Sequence, residues 1–321
     1  MAARPTLPPS GIEPSDQYSH ELRACRTSDK KSIIIYPRLY RPKNDPQNED
    51  PAESCMAWQN QEDGMDQLNW LKKIHEVIDK SEPTSHPRVQ MLVERQPETD
   101  FPVVAFVEKG DLYSFMRANP KPTVPSGTGS TNPLALKLRW ALNIASGLAF
   151  LNSKNIIFQG LSPNTVHLRA DLSAALVKLD VAAYREQGGT DDIAIGYRSS
   201  DWDDCALAEE PETWITPRQD LYAFGSLLYY LLMEQDPDQW EDEEEMRDQL
   251  DEEDEMDEII RKCWMREFET MSEVVEALKV VIVGQGLEIN GDDVVVDDSV
   301  GQFEGAGVFA EMIKISDGVS T

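Results

Sequence analysis

The chain has 321 residues, 40% of them apolar, which suits one large domain or a two-lobed one with a real core. Its 59 acidic against 30 basic residues give a formal charge of −29, which argues against a nucleic-acid backbone or an anionic membrane as partner and in favour of a basic protein. No apolar run approaches the ~20 residues needed to cross a bilayer. The cysteines, Cys25, Cys55, Cys205 and Cys263, lie far apart with no CxxC pair and no secretory segment ahead of them, so reduced thiols in the cytoplasm or nucleus are expected, not a disulfide framework or a zinc site.

Residues 1–30, with Pro5, Pro8, Pro9 and Pro14 among polar residues, read as a flexible arm. Ser32–Tyr36 is a predicted strand, and the acidic, proline-containing stretch from Arg41 to Asp63 reads as an irregular insert. A helix is expected from about Asp66, because Leu68, Leu71, Ile74 and Ile78 recur at helical spacing and leave Lys72, Lys73 and Glu76 on the other faces. Val89–Val93 and Val103–Val107 read as strands, and residues 119–132 as a loop. That loop ends in Asn132-Pro133, a good start for a long helix over 134–152 whose apolar face runs from Leu134 to Leu151.

A second helix start is Thr216-Pro-Arg-Gln219, where Thr caps and Pro takes the first position; from Leu221 to Met233 the segment is apolar almost all round, as for a helix buried inside a domain. Trp240–Glu258 is dominated by Glu and Asp, with Met246, Leu250 and Met256 as its few apolar anchors, and reads as a solvated loop or frayed helix. Ile259–Trp264 and Met271–Val281 are further helices, and the terminal forty residues read as an acidic tail.

Several of these segments, in this order, resemble protein kinases. Ile156-Ile-Phe-Gln-Gly-Leu-Ser-Pro-Asn-Thr-Val-His-Leu168 is similar to the catalytic-loop pattern Ile-Val-His-Arg-Asp-Leu-x-Pro-x-Asn-Ile-Leu-Leu. Gln219-Asp-Leu-Tyr-Ala-Phe-Gly-Ser-Leu-Leu-Tyr-Tyr-Leu-Leu-Met233 resembles Ser-Asp-Val-Tyr-Ser-Phe-Gly-Val-Leu-Leu-Tyr-Glu-Leu, and Ile259-Ile-Arg-Lys-Cys-Trp264 resembles a late helix of tyrosine-kinase-like kinases. His86-Pro87 stands where the family often has His-Pro before a strand, and Glu108–Phe115 resembles the hinge and the helix after it. The resemblance covers about residues 103–282. It implies an α+β, two-lobed fold: an arm (1–30), a reduced small β lobe with an irregular insert (31–108), a mainly helical large lobe with an acidic insert at 240–258 (109–282), and a tail (283–321).

Phosphoryl transfer from ATP asks a kinase for a glycine-lined phosphate cradle, a Lys held by a Glu, an Asp for the substrate hydroxyl, and Asn and Asp for magnesium. Between Gly11 and Gly64 the chain has no glycine, so the backbone cannot close on phosphates in the ordinary way. The strand Ile33–Tyr36 runs into Pro37 and Arg38 with no lysine at its end; Arg41 or Lys43 are the nearby cations, and Glu76 is the nearest helix carboxylate, otherwise a solvated helix residue. Laid on the catalytic loop, Phe158, Gln159 and Gly160 replace His-Arg-Asp, and Thr165 replaces the metal-binding Asn; Phe158 keeps the packing role while losing polarity.

Without a gap, the metal-binding Asp-Phe-Gly becomes Val181-Ala182-Ala183; with one residue lost, Asp180 becomes the ligand. Gly196-Tyr-Arg-Ser-Ser-Asp201 resembles Gly-x-Tyr-x-Ala-Pro-Glu, which gives Asp201 a structural role with Arg266 as a stand-in for its arginine. Asp220 is retained, and its family role is to accept backbone hydrogen bonds from the catalytic loop; an early helix acid favoured by the helix dipole predicts the same residue. His20, His75, His86 and His167 sit in no metal-ligand or nucleophile spacing.

The implied protein is a catalytically inactive kinase homologue, a pseudokinase acting as a protein-binding or scaffolding module, with no cofactor, no metal and no catalytic residue. The alternative is an active kinase with displaced residues, for which Mg-ATP would be the cofactor. Ala105, Val107 and Asp180 are the residues left as candidates for holding a nucleotide.

Overall fold

The computed structural model describes residues 15–18, 22–37, 51–119, 133–184, 187–188, 197–198, 216–239, 243–251 and 253–296. They fall into two compact units whose boundaries interleave: a small one of residues up to 86 with 90–106 and 178–181, and a large one of 87–89, 107–177 and 182 onward. The small unit is strand-rich and the large one helical, which makes the fold α+β.

Five short strands form the sheet of the small unit: β1 (Ser15–Gln17), β2 (Leu22–Arg26), β3 (Ser32–Pro37), β4 (Leu92–Arg95) and β5 (Pro102–Ala105), in the order β1-β2-β3-β5-β4 with every neighbouring pair antiparallel. The expected flexible arm is therefore corrected from residue 15 onward. Past Pro14 the prolines stop, and Leu22, Ala24 and Cys25 bury themselves while β2 pairs with β3 from Leu22↔Pro37 to Arg26↔Ile33. Thr27–Lys31 turns the chain without glycine, with Lys30 taking a left-handed conformation (φ 59°) and donating its N–H to the Thr27 carbonyl at 2.9 Å.

Helix α1 runs from Pro51 to Asp79, starting well before the expected Asp66. Proline is at home in a first helical turn, and the residues after it have little β propensity, so acidity alone does not keep them irregular. Leu68, Leu71, Ile74 and Ile78 form the buried stripe, packed on β3 and on the 3-10 turn Leu179–Val181. The expected strand at Val89 is shifted: Val89 makes an isolated parallel bridge with Leu176 inside the large unit, and β4 begins only at Leu92.

In the large unit, α2 (Leu112–Ala118) is capped by Asp111, whose carboxylate accepts the Ser114 N–H at 2.7 Å. Helix α3 (Pro133–Ser153) leads into β6 (Ile156–Ile157), β7 (Val166–Leu168) and β8 (Ala174–Leu176), and β6 pairs with β9 (Ala183–Tyr184), which pairs in turn with β10 (Gln187–Gly188). Leu134–Ser153 is long and apolar enough to cross a membrane, against the expectation that no run reaches that length. Lys137 and Arg139 interrupt the run in sequence, and 83% of the stretch is buried inside the protein.

Helix α4 (Pro217–Met233) is buried from Gln219 to Leu231. The acidic stretch is helical over α5 (Glu243–Arg247), with Met246 and Leu250 buried as its anchors, and Asp254 caps α6 (Glu255–Trp264). Helix α7 (Met271–Gly284) packs on α3. Beyond it the expected tail is instead an ordered hairpin, β11 (Ile289–Asn290) with β12 (Asp293–Val294), turning at Gly291 with φ 65°.

Gly225 is the close approach in this core. Trp264 stacks beside Tyr229 at 5.7 Å and donates its indole N–H to Ser226 at 3.1 Å, which requires α6 to lie almost on the α4 backbone. A Cβ at 225 would sit 2.8 Å from the Cys263 Cβ and 3.0 Å from the Trp264 ring. Gly225→Ala is expected to destabilise the large unit by about 1–3 kcal/mol, measured as a lower urea midpoint.

Candidate functional site: a kinase-type loop without its carboxylate

The turn from α3 into β7 carries the segment singled out in sequence. Asn152, near the end of α3, donates its amide to the Ile156 carbonyl (3.1 Å) and to Asp220 Oδ2 (2.7 Å), and Asn155 takes a left-handed φ of 56° that ends the helix. The chain then enters β6 and delivers the Phe158 ring to a position with no solvent exposure. Gln159 again turns left-handed at φ 56°, which directs the N–H groups of Phe158 and Gln159 onto one acceptor.

That acceptor is Asp220, in the first turn of α4. Its carboxylate takes the Phe158 N–H at Oδ2 and the Gln159 N–H at Oδ1, both at 2.9 Å, besides the Asn152 amide. Complete burial pushes its pKa up to about 6, although the three donors pull the other way. At pH 7 the group is ionised and fully bonded.

Gly160, next in line, has only hydrogen where the family places its proton-accepting Asp. Thr165 does not replace the missing chemistry from its own position. Its hydroxyl lies 2.7 Å from the Gly160 carbonyl and 3.0 Å from the Ser162 carbonyl, to which it donates, and it accepts the Ser162 N–H at 3.0 Å. The oxygen that stands for the amide of the family's Asn is thus spent on holding the loop to itself. Phe158, Gln159, Gly160, Thr165 and Asp220 are brought together in the large unit, as is Val107, which is 3% exposed.

Ala105, Asp180 and Val181 belong to the small unit. Both main-chain polar groups of Ala105 are engaged: its N–H donates to the Met91 carbonyl at 2.9 Å and its carbonyl accepts the Gln90 side-chain amide at 2.8 Å. Asp180 lies in the 3-10 turn and is 2% exposed, while Ala182 and Ala183 bury methyl groups that bind no metal. Among the described residues no group of three or more His, Cys, Asp and Glu is arranged to hold a metal ion.

Glu76 is an ion-pair residue in this unit, not merely a solvated one. It accepts from Arg95 on β4 at 2.6 Å and lies 3.6 Å from Lys80, and the Arg95 hydrogen bond holds its carboxyl below the ordinary range. Lys72 binds Asp100 at 2.8 Å, and Arg95 reaches Asp100 at 3.6 Å. His75, one residue before Glu76, is 2% exposed; burial together with the Arg95 charge pushes it down to about 4, so it is neutral at pH 7. Arg41, Lys43 and Asp201 lie outside the described residues.

Two groups of residues escaped the sequence reading. One is the pair Tyr18 and Gln90, treated below. The other is the cluster around Asp293 of the hairpin, whose carboxylate accepts from Arg139 (2.7 and 2.9 Å), Asn143 (3.1 Å) and Arg88 (3.1 Å), while Asp292 takes the Ser146 hydroxyl at 2.7 Å. Burial alone would raise the Asp293 carboxyl, but the Arg139 hydrogen bonds and the Arg88 charge keep it below its ordinary value. The dipeptide Asn290-Gly291 between apolar residues was the available signal for this hairpin.

The order of these pieces is that of the protein kinases, and comparison agrees. Residues 76–279 match the family model described as protein tyrosine and serine/threonine kinase, and the chain belongs to that family. It is 29% identical over 161 residues to U-box domain-containing protein 34 of Arabidopsis thaliana, a match covering 47% of this chain and 19% of that protein. It is 25% identical over 189 residues to mitogen-activated protein kinase kinase kinase zak-1 of Caenorhabditis elegans, covering 54% of this chain and 24% of the relative. The chain therefore spans between a fifth and a quarter of the length of these curated relatives.

Replacing Asp220 by Asn reports on the loop anchor. With its folded pKa raised to about 6 against an ordinary 3.8, Asp220 keeps a proton that the unfolded chain has already released. Its contribution is greatest below pH 4 and falls as pH rises to 6, by on the order of 3 kcal/mol. Asp220→Asn is expected to flatten the stability profile across that window, read by denaturant unfolding at a series of pH values, and to lower stability by about 2–4 kcal/mol at pH 7 because an amide accepts at one end only.

Proposed function

We propose that the chain is a kinase homologue without phosphotransferase activity, working as a protein-binding or scaffolding module. The observation that carries this reading is the loop itself. A glycine occupies the position of the proton acceptor, and the side chain at the metal-ligand position is bonded to that glycine's own carbonyl. A hydroxyl turned onto its own backbone has little to offer a divalent ion, which prefers carboxylate or amide oxygens. The glycine-free interval before Gly64 removes the phosphate cradle as well.

The effort spent on retaining the scaffold supports a binding role. Asp220, Asn152 and Thr165 hold the loop in one geometry, which keeps a surface of defined shape although its reacting groups are gone. In both curated relatives the matching region is a minor part of a longer chain, as suits a module. A partner of basic character fits the charge of −29, and the acidic stretch at 240–258 is the segment to engage it, presenting Glu244 and Glu245 to solvent while Met246 and Leu250 are tucked in.

Two measurements test this. Incubation with radiolabelled ATP, magnesium and a generic substrate is expected to give no transfer; transfer abolished by Asp180→Ala would establish the displaced-residue kinase in its place. Deleting residues 240–258, or raising salt from about 0.1 to 1 M, is expected to release a basic partner recovered by pull-down, since screening shortens from about 10 to 3 Å over that range; retention under both conditions removes the acidic stretch from the interface.

A further inference from the structure

The small unit contains a buried polar chain that neither the fold nor the loop requires. Tyr18 follows β1 directly and is 6% exposed. A buried tyrosine normally finds a partner for its hydroxyl, and here the hydroxyl has two. It accepts the main-chain N–H of Lys178 at 3.1 Å and donates to Gln90 Oε1 at 3.2 Å. Gln90, 4% exposed, uses the other end of its amide to donate to the Ala105 carbonyl at 2.8 Å.

One ring therefore ties together segments 72 and 160 residues away in sequence. Its reach is informative. At one end is the carbonyl of Ala105, where β5 finishes; at the other is Lys178, at φ 62°, the residue leading into the 3-10 turn that holds Asp180. Burial and the nearby Asp180 charge both push the Tyr18 phenol well above its ordinary pKa, so it stays a neutral hydroxyl.

Ala105 and Asp180 are two of the three residues that sequence left as candidates for holding a nucleotide. A glycine-bearing connection between the first two strands would leave its backbone open to a ligand. This chain places a tyrosine there, and the flat phenol ring takes up space of the kind a purine base would use. We propose that Tyr18 is an internal plug of the small unit's purine site: with Gln90 it occupies the Ala105 carbonyl and the approach to Asp180, and a purine nucleotide enters only when Tyr18 withdraws. The proposal rests on the inactive reading above and adds to it a cause for poor nucleotide binding that a single side chain controls.

The test uses the full chain and a fluorescent N-methylanthraniloyl ATP as probe, with and without magnesium. Tyr18→Ala is expected to bind it about tenfold or more tightly than the wild type, because the apparent affinity of a closed site is reduced by the fraction of molecules that are open. Gln90→Leu, which cuts the link to Ala105 and leaves the ring in place, is expected to show a smaller gain, and it carries the test if Tyr18→Ala does not fold by circular dichroism. Folded variants that bind the probe no better than the wild type overturn the plug and leave the inactive reading standing. Phosphate transfer by the wild type overturns the inactive reading, whereas the plug is judged only on the difference in binding between the wild type and its variants.

Discussion

The carboxylate of Asp220, closed off from water, is the constraint on which the large unit is arranged. A buried anion is tolerable only when its lone pairs are taken, and here they are taken by the Phe158 and Gln159 amides and the Asn152 side chain. Because two of those donors are backbone groups, the requirement fixes main-chain direction and not merely a side chain. It explains the left-handed turn at Gln159, the delivery of Phe158 to the core, and the position at which α4 starts relative to the end of α3.

Chemistry and architecture are separable in such a loop because they use different atoms. The reacting groups of a kinase loop are side-chain carboxylates and amides that face the substrate, whereas its shape is set by main-chain N–H groups that face Asp220. Replacing the former with Gly160 and Thr165 leaves the latter intact, and Thr165 even adds a tie of its own, from its hydroxyl to the Gly160 carbonyl. The tie costs nothing in shape and removes a metal-binding oxygen.

The central helix was legible in sequence because burial on every side leaves an unbroken apolar run, and Thr216-Pro217 marks where it begins. The loop was legible because its flanking Leu161 and Pro163 and its spacing to α4 survive. Residues 15–26 were not, since the four prolines upstream dominate the local composition and the strands' partners lie further along the chain. The early start of α1 was hidden by acidic and polar residues that are nonetheless adequate helix formers. Tyr18 and Gln90 carry no local signal of their meeting: a hydrogen bond across 72 residues is a product of the tertiary fold, and a lone tyrosine or glutamine predicts nothing about it.

The hairpin after α7 sets where this protein can be cut. The kinase family match stops at residue 279, yet the only printed carboxylate on the Arg88 side chain, and one of the two on Arg139, belongs to Asp293. Ending the polypeptide at the family boundary would strand largely buried guanidinium groups without their counter-ion, a loss of several kcal/mol. The cooperative folding unit consequently extends at least to Val294, and a segment outside the shared kinase pattern has become a structural necessity for this member of the family.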